Sequence, residues 1–265
     1  MFKNKVAVIT GAASGIGAGI AWHCHFLGMK IVLADIEIEP LTKLELALQQ
    51  EGADATAVLT DVRQPTALID LAAKAYQTFH AVHYLFNNAG VGVGGAAWQP
   101  SPAHWSWIID VNLKGVIHGI QAFVPKMMEQ DERCMIINTS SIVGLETVGG
   151  MAPYTVTKHA VVALTKTMRD DLSGSNISVA VFCPDFVKTR IMDSYRNAPK
   201  PVRLIEAQRE KAPIEIEIEQ QMREMFAQAM PVSEAVVWLF KGILRGDFII
   251  YTKPPDEIIT DTAGV

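Results

Sequence analysis

Short apolar runs alternate along this chain with stretches in which apolar residues recur every three or four positions. The runs have the length and the Val and Ile content of buried strands, and they cover residues 6–10, 30–35, 56–60, 82–87, 134–139, 177–183 and 247–251. The stretches between them present one apolar helical face, as at Leu68, Ala72, Tyr76 and Phe79. This alternation predicts an α/β fold with a doubly wound parallel sheet of about seven strands and helices on both faces.

Two regions interrupt this rhythm. Residues 91–97 are rich in glycine, which predicts a flexible loop after the fourth strand. Residues 187–230 form a long insertion before the last helix and strand, and such insertions usually cover a binding site. We therefore expect a substrate lid near 187–230 within one domain that spans residues 1–265, since no linker divides the chain.

Most of the glycine and polar residues that stand out follow directly after predicted strands. They are Gly11, Asp35, Asp61, Asn88, Ser141 and Pro184. In doubly wound sheets, ligands bind at the carboxyl ends of the strands. The pattern therefore predicts one ligand site at that edge of the sheet.

A glycine-rich turn joins the first strand to the first helix and reads T-G-A-A-S-G-I-G over residues 10–17. Glycines there let a diphosphate approach the backbone and rest on the positive end of the helix. The candidate residues for this contact are Gly11, Ser14, Gly15, Ile16 and Gly17. The spacing differs from the commoner G-x-G-x-x-G, and glycines between a strand and a helix also occur for purely structural reasons.

Tyr154 and Lys158 are four residues apart, so a helix places them on one face, one turn from each other. An ammonium group beside a phenol oxygen stabilises the phenolate, and lowering a phenol pKa from about 10 to neutrality requires ~4 kcal/mol. Ser141 is expected at the end of the preceding strand, where it would hydrogen-bond the same substrate oxygen. The Y-x-x-x-K spacing also arises by chance, and by itself it is consistent with an amphipathic surface pair.

Taken together, the glycine turn, N-N-A-G at 87–90, Asn112, Ser141 and the Tyr154/Lys158 pair resemble the short-chain dehydrogenase/reductase family over nearly the whole chain. The resemblance implies a Rossmann-type domain whose catalytic residues are Asn112, Ser141, Tyr154 and Lys158. It also implies that a nicotinamide dinucleotide contacts the glycine turn, Tyr154 and Lys158. Further contacts are implied for Asp35, Asp61, Val62, Asn88, Ala89, Gly90, Val187 and Thr189.

Three positions leave alternatives open. Asn88 is expected to line the ribose side of the cofactor, to brace neighbouring strands, or both. Asn112 is expected in mid-helix, either at a kink that binds a water and connects Lys158 to solvent, or as a capping or surface residue. Asp185 stands where the family generally has Gly, which tolerates positive φ, so the family's backbone path beside the nicotinamide does not carry over directly.

Asp35 bears on the choice of cofactor. A carboxylate at the end of the second strand accepts hydrogen bonds from both hydroxyls of the adenosine ribose and repels a 2′-phosphate. Family members that prefer NADP usually have Arg or Lys just before the second glycine or just after this strand, where this chain has Ser14 and Ile36. The pattern favours NAD, and its alternative is a solvated loop carboxylate.

Composition argues against several classes of function. A net charge of −5 without a basic block speaks against a nucleic-acid partner. Cys24, Cys134 and Cys183 are far apart and predict reduced thiols in a cytoplasmic protein, and neither a signal peptide nor a membrane-spanning run is expected. His23 and His25 face different sides of a helix, so no metal site is predicted.

The predicted function is that of an NAD-dependent oxidoreductase interconverting a neutral, hydrophobic secondary alcohol and its ketone, with Tyr154 as general base. The alternatives are an NADPH-dependent carbonyl or 3-oxoacyl reductase and a non-catalytic dinucleotide-binding sensor. The resemblance places apolar residues around the reacting carbon, among them Val143, Leu145, Met192, Met222, Met225 and Phe226. Arg190 and Arg196 are the exceptions that would allow an anionic substrate.

Assembly is predicted from one helix whose apolar residues exceed what a sheet face needs. These residues are Val116, Ile120, Phe123, Val124 and Met127. The resemblance makes this helix and the helix of Tyr154 a subunit interface. We therefore expect a homotetramer or a homodimer.

Overall fold

Seven parallel strands form the centre of the molecule. The computed structural model describes residues 1–210 and 213–253 of the chain, and the seven strands of this part form one sheet in the order β3-β2-β1-β4-β5-β6-β7. The strands are β1 (Val6–Thr10), β2 (Lys30–Asp35), β3 (Ala55–Leu59), β4 (Tyr84–Asn87), β5 (Cys134–Thr139), β6 (Ile177–Cys183) and β7 (Ile249–Tyr251).

Helices cover both faces of this sheet. Within the described residues they are α1 (Gly15–Phe26), α2 (Ile38–Gln50), α3 (Pro65–Phe79), α4 (Pro102–Ile109), α5 (Gly115–Met128), α6 (Ala152–Asp171), α7 (Lys200–Gln208), α8 (Pro213–Ala227) and α9 (Val232–Arg245). Residues of α1, α2 and α9 share one hydrophobic core, and residues of α3 to α6 share the other. The predicted α/β architecture is confirmed.

The two cores explain why the strands read as uninterrupted apolar runs. In β1, Val6 and Val8 belong to the core beneath α3 and α5, whereas Ala7 and Ile9 belong to the core beneath α1 and α9. Both faces of the strand are therefore buried, so no polar residue alternates with the apolar ones.

The connections change direction between β1 and β4, which are neighbours in the sheet although β2 and β3 separate them in sequence. A crevice forms at such a point in a doubly wound sheet. The glycine turn follows β1, Asp35 ends β2, and Asn88 follows β4, so they share this carboxyl edge.

Strand boundaries agree with the predictions in four strands and differ in three. β3 covers Ala55–Leu59 rather than residues 56–60, a shift of one residue at each end. β4 begins at Tyr84 rather than at residue 82, and β7 begins at Ile249 rather than at residue 247. Val82 is fully buried although it precedes the ladder. Hydrophobicity reports burial and not strand pairing, so the apolar run overestimates the strand.

The insertion after β6 is largely helical. A 3₁₀ segment, Ile191–Asn197, leads into α7 and then α8. A parallel bridge between Val187 and Met230 closes its base, where the N–H of Lys188 donates to the carbonyl of Met230 at 2.8 Å. The region expected as a lid is therefore a folded unit, apart from residues 211–212, which lie outside the described residues.

The loop after β4 is better anchored than predicted. The N–H of Gly95 donates to the carbonyl of Gly150 at 2.6 Å, and the N–H of Ala152 donates to the carbonyl of Gly95 at 3.1 Å. Val91 and Val93 are buried. The prediction of a flexible loop is wrong for this part of it, because glycine content indicates a turn and does not reveal which backbone groups pair with α6.

α5 carries less surplus apolar surface than predicted. Val116, Phe123 and Met127 are buried within the chain itself, and Ile120 and Val124 are partly buried against the same core. The helix lies between α3 and α6, so its apolar residues pack inside the chain. The argument for an interface from this surface is correspondingly weaker.

Three smaller expectations concern cysteines, membranes and metals. Cys24, Cys134 and Cys183 are free and buried. No helix in the described part of the chain has the length and hydropathy needed to cross a membrane. Within residues 1–210 and 213–253, no cluster of three or more His, Cys, Asp or Glu side chains is arranged to hold a metal.

Candidate active site

Close backbone contacts account for the glycines between β1 and α1. A Cβ atom at Gly17 would lie 2.1 Å from the carbonyl oxygen of Gly11. Gly11 has φ +67°, which side chains disfavour, and a Cβ there would lie 2.8 Å from the Cα of Ala89. These two positions therefore require glycine.

The start of α1 is suited to an anion. Ser14 is its N-cap in extended conformation, and the Ser14 side chain makes no capping hydrogen bond to any residue that the structure describes. The first backbone N–H groups of a helix have no partner inside it, so Gly15, Ile16 and Gly17 offer donors at the positive end of the helix. The turn fits the diphosphate of a dinucleotide.

Asp35 is fixed beside this turn by two backbone donors. The N–H of Ala13 donates to its Oδ2 and the N–H of Glu37 donates to its Oδ1, both at 2.9 Å. Burial raises the pKa of Asp35, and these hydrogen bonds act in the opposite direction. Asp35 is 9% exposed, so the description of a solvated loop carboxylate does not apply.

Asp61 and Val62 follow β3 at the same edge. Arg63 binds the Asp61 carboxylate through Nε at 2.9 Å and Nη2 at 2.6 Å. Burial would raise the pKa of Asp61, but the hydrogen bonds and charge of Arg63 outweigh it and hold the pKa below its usual value. Val62 is buried against Gly115, because a Cβ at Gly115 would lie 2.8 Å from the Cγ2 atom of Val62. Asp61 thus already has a cationic partner.

Asn88 braces two strands. Its Nδ2 donates to the carbonyl of Thr10 at 3.0 Å, and its backbone N–H donates to Thr10 Oγ1 at 3.0 Å. The N–H of Ala89 donates to the same hydroxyl at 3.1 Å. The structural role that the sequence left open for Asn88 is therefore present, and it places Ala89 and Gly90 along the crevice.

Ser141, Tyr154 and Lys158 come together where β5 meets α6. The Ser141 hydroxyl lies near enough to the Tyr154 phenol to lower the pKa of that phenol. Lys158 Nζ lies over the Tyr154 ring, 5.5 Å from its centre, and donates to the carbonyl of Thr139 at 3.0 Å. The structure thus assembles these three residues as the spacing predicted.

Burial dominates the acid–base properties of this group. It raises the pKa of Tyr154 to about 12, against the hydrogen bond from Ser141, which lowers it. Burial also lowers the pKa of Lys158 to about 8. The pKa near neutrality expected for Tyr154 is therefore not what this arrangement produces, and the Lys158 ammonium stands over the ring face instead of beside the phenol oxygen.

Asn112 lies in a π-helical turn, Asp110–Lys114, between α4 and α5. Its Oδ1 accepts from the N–H of Val91 at 2.8 Å, and its Nδ2 donates to the carbonyl of Val91 at 2.9 Å and to Thr157 Oγ1 at 3.2 Å. The side chain is 1% exposed, so a surface role is wrong. The helix changes to π-type pairing where the sequence analysis expected a kink, and π-turns often mark functional sites. The Asn112 amide itself is occupied by protein groups.

Lys158 has donors that the described protein groups do not use. Gly90 is its neighbour, because a Cβ placed there would lie 3.6 Å from Lys158 Nζ and 3.5 Å from Asn112 Oδ1, in ordinary contact. Within the described residues the Lys158 ammonium, 3% exposed, makes one hydrogen bond, to Thr139. An ammonium has three donors, and vicinal hydroxyls at this position would satisfy the other two.

Asp185 does not force an unusual backbone. Among the described residues, positive φ outside glycine occurs at Asn4 and His80 alone. The Asp185 carboxylate accepts from the N–H of Phe186 at 2.9 Å and from Lys253 Nζ at 3.0 Å. Its charge is thus paired with a cation.

Val187 and Thr189 follow Asp185 on the path toward the glycine turn. Val187 is buried. Thr189 lies against the turn, because a Cβ at Gly15 would be 3.2 Å from its Cγ2. The segment after β6 therefore lies next to the expected diphosphate position.

Three supporting residues were not apparent from the sequence. Ser140 Oγ donates to the carbonyl of Lys158 at 2.8 Å, and Thr157 Oγ1 donates to the carbonyl of Tyr154 at 2.9 Å. A Cβ at Gly144 would lie 2.8 Å from the Lys158 carbonyl oxygen. The signal available was a run of small residues, but their partners depend on how α6 packs against β5.

Comparison with known proteins agrees with this geometry. The short chain dehydrogenase family profile matches residues 5–200. A CLA biosynthesis dehydrogenase/reductase of Lactiplantibacillus plantarum is 29% identical over 255 residues, which cover 96% of this chain and 89% of that protein. A 1-deoxy-11-beta-hydroxypentalenate dehydrogenase of Streptomyces avermitilis is 34% identical over 201 residues, or 74% of each chain.

Among solved structures, a short chain dehydrogenase/reductase from Burkholderia phymatum in complex with NAD superposes with a TM-score of 0.91. It is 38% identical, and the match covers 96% of this chain and 90% of that one. With the glycine turn, the buried Lys158 and the Ser141–Tyr154 contact in their expected places, the chain belongs to the short-chain dehydrogenase/reductase family of oxidoreductases.

Proposed function

We propose that this oxidoreductase uses NAD to interconvert a neutral, hydrophobic secondary alcohol and its ketone. The observation that carries the proposal is the convergence of Ser141, Tyr154 and Lys158 at the same sheet edge as a diphosphate-sized glycine turn. The Streptomyces relative, whose name refers to the dehydrogenation of a hydroxylated compound, supports the reaction class.

The preference for NAD rests on Asp35. Its carboxylate is fixed at the end of β2, and the neighbouring positions Ser14 and Ile36 carry no cation to bind a 2′-phosphate. The Burkholderia structure, which contains NAD, is consistent with this preference. An NADPH-dependent carbonyl or 3-oxoacyl reductase is the nearer alternative, and the Asp35 carboxylate argues against it by charge.

The residues that would hold NAD lie along the crevice. The glycine turn would bind the diphosphate, Asp35 the adenosine ribose, Asp61 and Val62 the adenine edge, and Lys158 the nicotinamide ribose. Bound NAD⁺ would supply the hydride acceptor and one positive charge. Val187 and Thr189 would hold the carboxamide, and Asn88, Ala89 and Gly90 the ribose side.

In the proposed reaction, Tyr154 takes the hydroxyl proton of the alcohol as its carbinol carbon loses a hydride. Ser141 lies near the Tyr154 phenol and so is placed to hold the same substrate oxygen. Lys158 keeps a positive charge near the phenolate. Backbone groups of the π-turn at Asn112 would bind a water, because the Asn112 amide is occupied, and this water would complete a proton path from Lys158 to solvent.

The surroundings of the arginines near the site support a neutral substrate. Arg196, named as a potential anion-binding residue, is bound to the Glu37 carboxylate through Nε and Nη2. Arg190 is exposed, and its charge is close enough to Glu37 and Asp193 to lower the pKa of both carboxylates. An apolar substrate is supported by buried apolar residues, which include Val93, Val143 and Val187. The rings of Phe186 and Phe226 add an edge-to-face pair with 5.2 Å between their centres.

A dinucleotide sensor without turnover is the alternative from another class. It would need the glycine turn, Asp35 and the proposed ribose contact of Lys158. It would not need Ser141 beside the Tyr154 phenol as well as a π-turn at Asn112. The complete set therefore supports turnover.

Assembly and compartment are also part of the proposal. A homotetramer or homodimer through α5 and α6 is supported by the family and by the partly buried Ile120 and Val124, while the buried remainder of α5 gives no support. The three free, buried cysteines support a reducing compartment, the cytoplasm.

A panel of alcohols with NAD⁺ and NADP⁺ tests the function. We expect apolar cyclic or aromatic secondary alcohols with NAD⁺ to give the highest kcat/KM, followed as NADH absorbance. Asp35→Ala should narrow the NAD/NADP ratio of kcat/KM by about tenfold or more, because a charge-based discrimination of ~1.4 kcal/mol is lost.

Glu39→Ala, which removes a carboxylate from the first turn of α2 without touching the proposed cofactor position, is the matched control and should leave that ratio unchanged. Equal use of the two cofactors by the unmodified protein would contradict the NAD assignment. Higher kcat/KM for sugars, hydroxy acids or acyl thioesters would contradict the substrate class.

A further inference from the structure

Residues 187–197, here called the crossing segment, run across the carboxyl edge of the sheet from β6 towards β2. Thr189 lies against the glycine turn at Gly15. Farther along, Ser194 Oγ accepts from the N–H of Gly92, in the loop after β4, at 2.8 Å. The crossing segment therefore spans the place where the glycine turn would hold a diphosphate.

The far end of the crossing segment is attached to the end of β2 by one ion pair. Arg196 Nε donates to the two Glu37 carboxylate oxygens at 3.2 and 3.0 Å, and Nη2 donates to Oε2 at 2.9 Å. The two residues are 159 positions apart in sequence. Glu37 also supplies the N–H that fixes Asp35. The pair thus joins the crossing segment to the residues proposed for the adenosine ribose.

Arg196 is held rigidly in this pair. Its Nη1 donates to the carbonyls of Arg190 at 3.2 Å and Asp193 at 3.1 Å, so the guanidinium also binds the backbone at the start of the 3₁₀ segment. The side chains are 24% exposed at Arg196 and 20% at Glu37. Burial raises the pKa of Glu37, but hydrogen bonding from Arg196 and Asn197 and the charges of Arg196 and Arg190 outweigh burial and hold the pKa below its usual value. Glu37 is therefore an anion throughout the neutral range.

We infer that Arg196 and Glu37 are positioning residues that close the crossing segment over the dinucleotide and control its release. The inference rests on the proposed function and adds to it a structural cause for cofactor retention. With the pair formed, the segment is attached on both sides of the turn, at Gly92 and at Glu37. A dinucleotide that lies between the glycine turn and the crossing segment leaves when one of these two attachments opens. In the attachment at Gly92 one partner is a backbone N–H, whereas in the Arg196–Glu37 ion pair both partners are side chains.

The pair should affect the release rate more than a solvent-exposed ion pair would. Multiple charge-assisted hydrogen bonds in a partly buried site are stronger than single exposed ones. We expect loss of either partner to raise the rate of NADH dissociation by about tenfold, which is ~1.4 kcal/mol. Binding of NADH would persist, because neither side chain needs to touch it.

The test is NADH dissociation measured by stopped flow, as the loss of NADH fluorescence after mixing the complex with excess NAD⁺. The variants are Arg196→Met, Glu37→Gln and the exchange Glu37→Arg with Arg196→Glu. Both single variants should release NADH about tenfold faster, and the exchange should return the rate toward that of the unmodified protein.

Arg223→Met is the matched control, because Arg223 pairs with Asp193 of the same 3₁₀ segment at 2.9 Å without reaching β2. Its release rate should equal that of the unmodified protein. Thermal unfolding of each variant establishes that it is folded before the rates are compared, and a variant that fails to fold is replaced by Arg196→Lys or Glu37→Asp.

Several outcomes overturn the inference. Unchanged release in both single variants does so directly. Faster release in Arg196→Met but not in Glu37→Gln assigns Arg196 to direct cofactor contact, and single effects that the exchange does not reduce show two independent roles. If the unmodified protein binds no NADH at all, the proposed function fails first and this inference fails with it; normal NADH binding with unchanged release rates contradicts the ion pair alone.

Discussion

Two regions that border the carboxyl edge of the sheet are held by different kinds of contact. One consists of β5, the π-turn Asp110–Lys114 and α6, and is called the wall below; the other is the insertion at residues 187–230. In the wall the polar side chains of Asn112, Thr157 and Lys158 are almost completely buried and bonded to protein groups. In the insertion, the Arg223–Asp193 pair lies at the surface with nearly half of each side chain exposed.

The difference teaches which half of the site is constrained. A buried polar group that loses its partner retains the full cost of desolvation, so the wall has few alternative arrangements. A surface ion pair exchanges its partner for water at little cost. The wall is therefore suited to fixed chemistry, and the insertion is suited to accommodating different substrates.

The largest expected effect comes from replacing one tyrosine in each region by phenylalanine. Burial raises the pKa of both Tyr154, in the wall, and Tyr195, in the insertion, to about 12. We expect Tyr154→Phe to lower kcat by about 10²- to 10⁴-fold, since a general base is removed, with NADH affinity close to normal.

Tyr195→Phe is the matched control. The Tyr195 ring packs against the rings of His104 and Trp107, with 5.9 and 5.5 Å between ring centres. Phenylalanine keeps this ring, so the variant retains both contacts. Steady-state kinetics and NADH titration of both variants decide the point. Substantial kcat in Tyr154→Phe, or an equal loss in Tyr195→Phe, would remove the distinction between wall and insertion.

A second effect concerns the stability cost of the wall. The pKa of Lys158 is lowered from 10.5 to about 8, which corresponds to roughly 3 kcal/mol against folding while the group is charged. The folded pKa lies below the unfolded one, so the cost is complete below about pH 8 and disappears as pH rises toward 10.5. Lys158→Met should therefore raise Tm of the cofactor-free protein at pH 7 by roughly 5 °C or more.

Thermal unfolding at pH 7 and at pH 10 checks this prediction, and the gain should shrink at the higher pH. The control is Lys166→Met on the same helix α6, because its side chain is exposed and the change should alter Tm little at either pH. A lower Tm for Lys158→Met at pH 7 would show that the ammonium is better solvated in the folded protein than its burial indicates.

The smallest effects compare one polar contact from each side. Asn112→Ala leaves the N–H and carbonyl of buried Val91 without their side-chain partner, and we expect a loss of roughly 1–3 kcal/mol in the free energy of unfolding. Arg223→Met removes exposed pairs and should cost less than about 1 kcal/mol. Urea unfolding of both variants measures the two values, and a larger loss for Arg223→Met would reverse the proposed order.

Local patterns predicted those features that depend on neighbouring residues. The period of apolar residues indicated strands and helices. The turn at residues 10–17 showed where β1 becomes α1, and the close approach of Gly17 to the Gly11 carbonyl lies within the turn itself. The four-residue spacing of Tyr154 and Lys158 was enough to place both side chains on one face of α6. Each of these inferences needs only backbone geometry over a few residues.

Other features needed contacts that no spacing reveals. Asn112 was expected at a kink, but its partner Val91 lies 21 positions away, and only packing of the π-turn against the loop after β4 joins them. The opposite shifts of the Tyr154 and Lys158 pKa values arise from burial, which depends on everything that surrounds α6. The loop at 91–97 was predicted flexible for the same reason: its partner, Gly150, belongs to another segment.

By itself, the sequence determined the class of fold, the edge of the sheet that carries the site, and the catalytic and dinucleotide-binding candidates at that edge. Tertiary structure alone decided that Arg196 is committed to Glu37, that Asp185 is paired with Lys253, and that Lys158 is nearly sealed from water. The physical reason is that residue type and spacing specify local geometry, whereas charge pairing and solvation depend on which distant segments the sheet brings together.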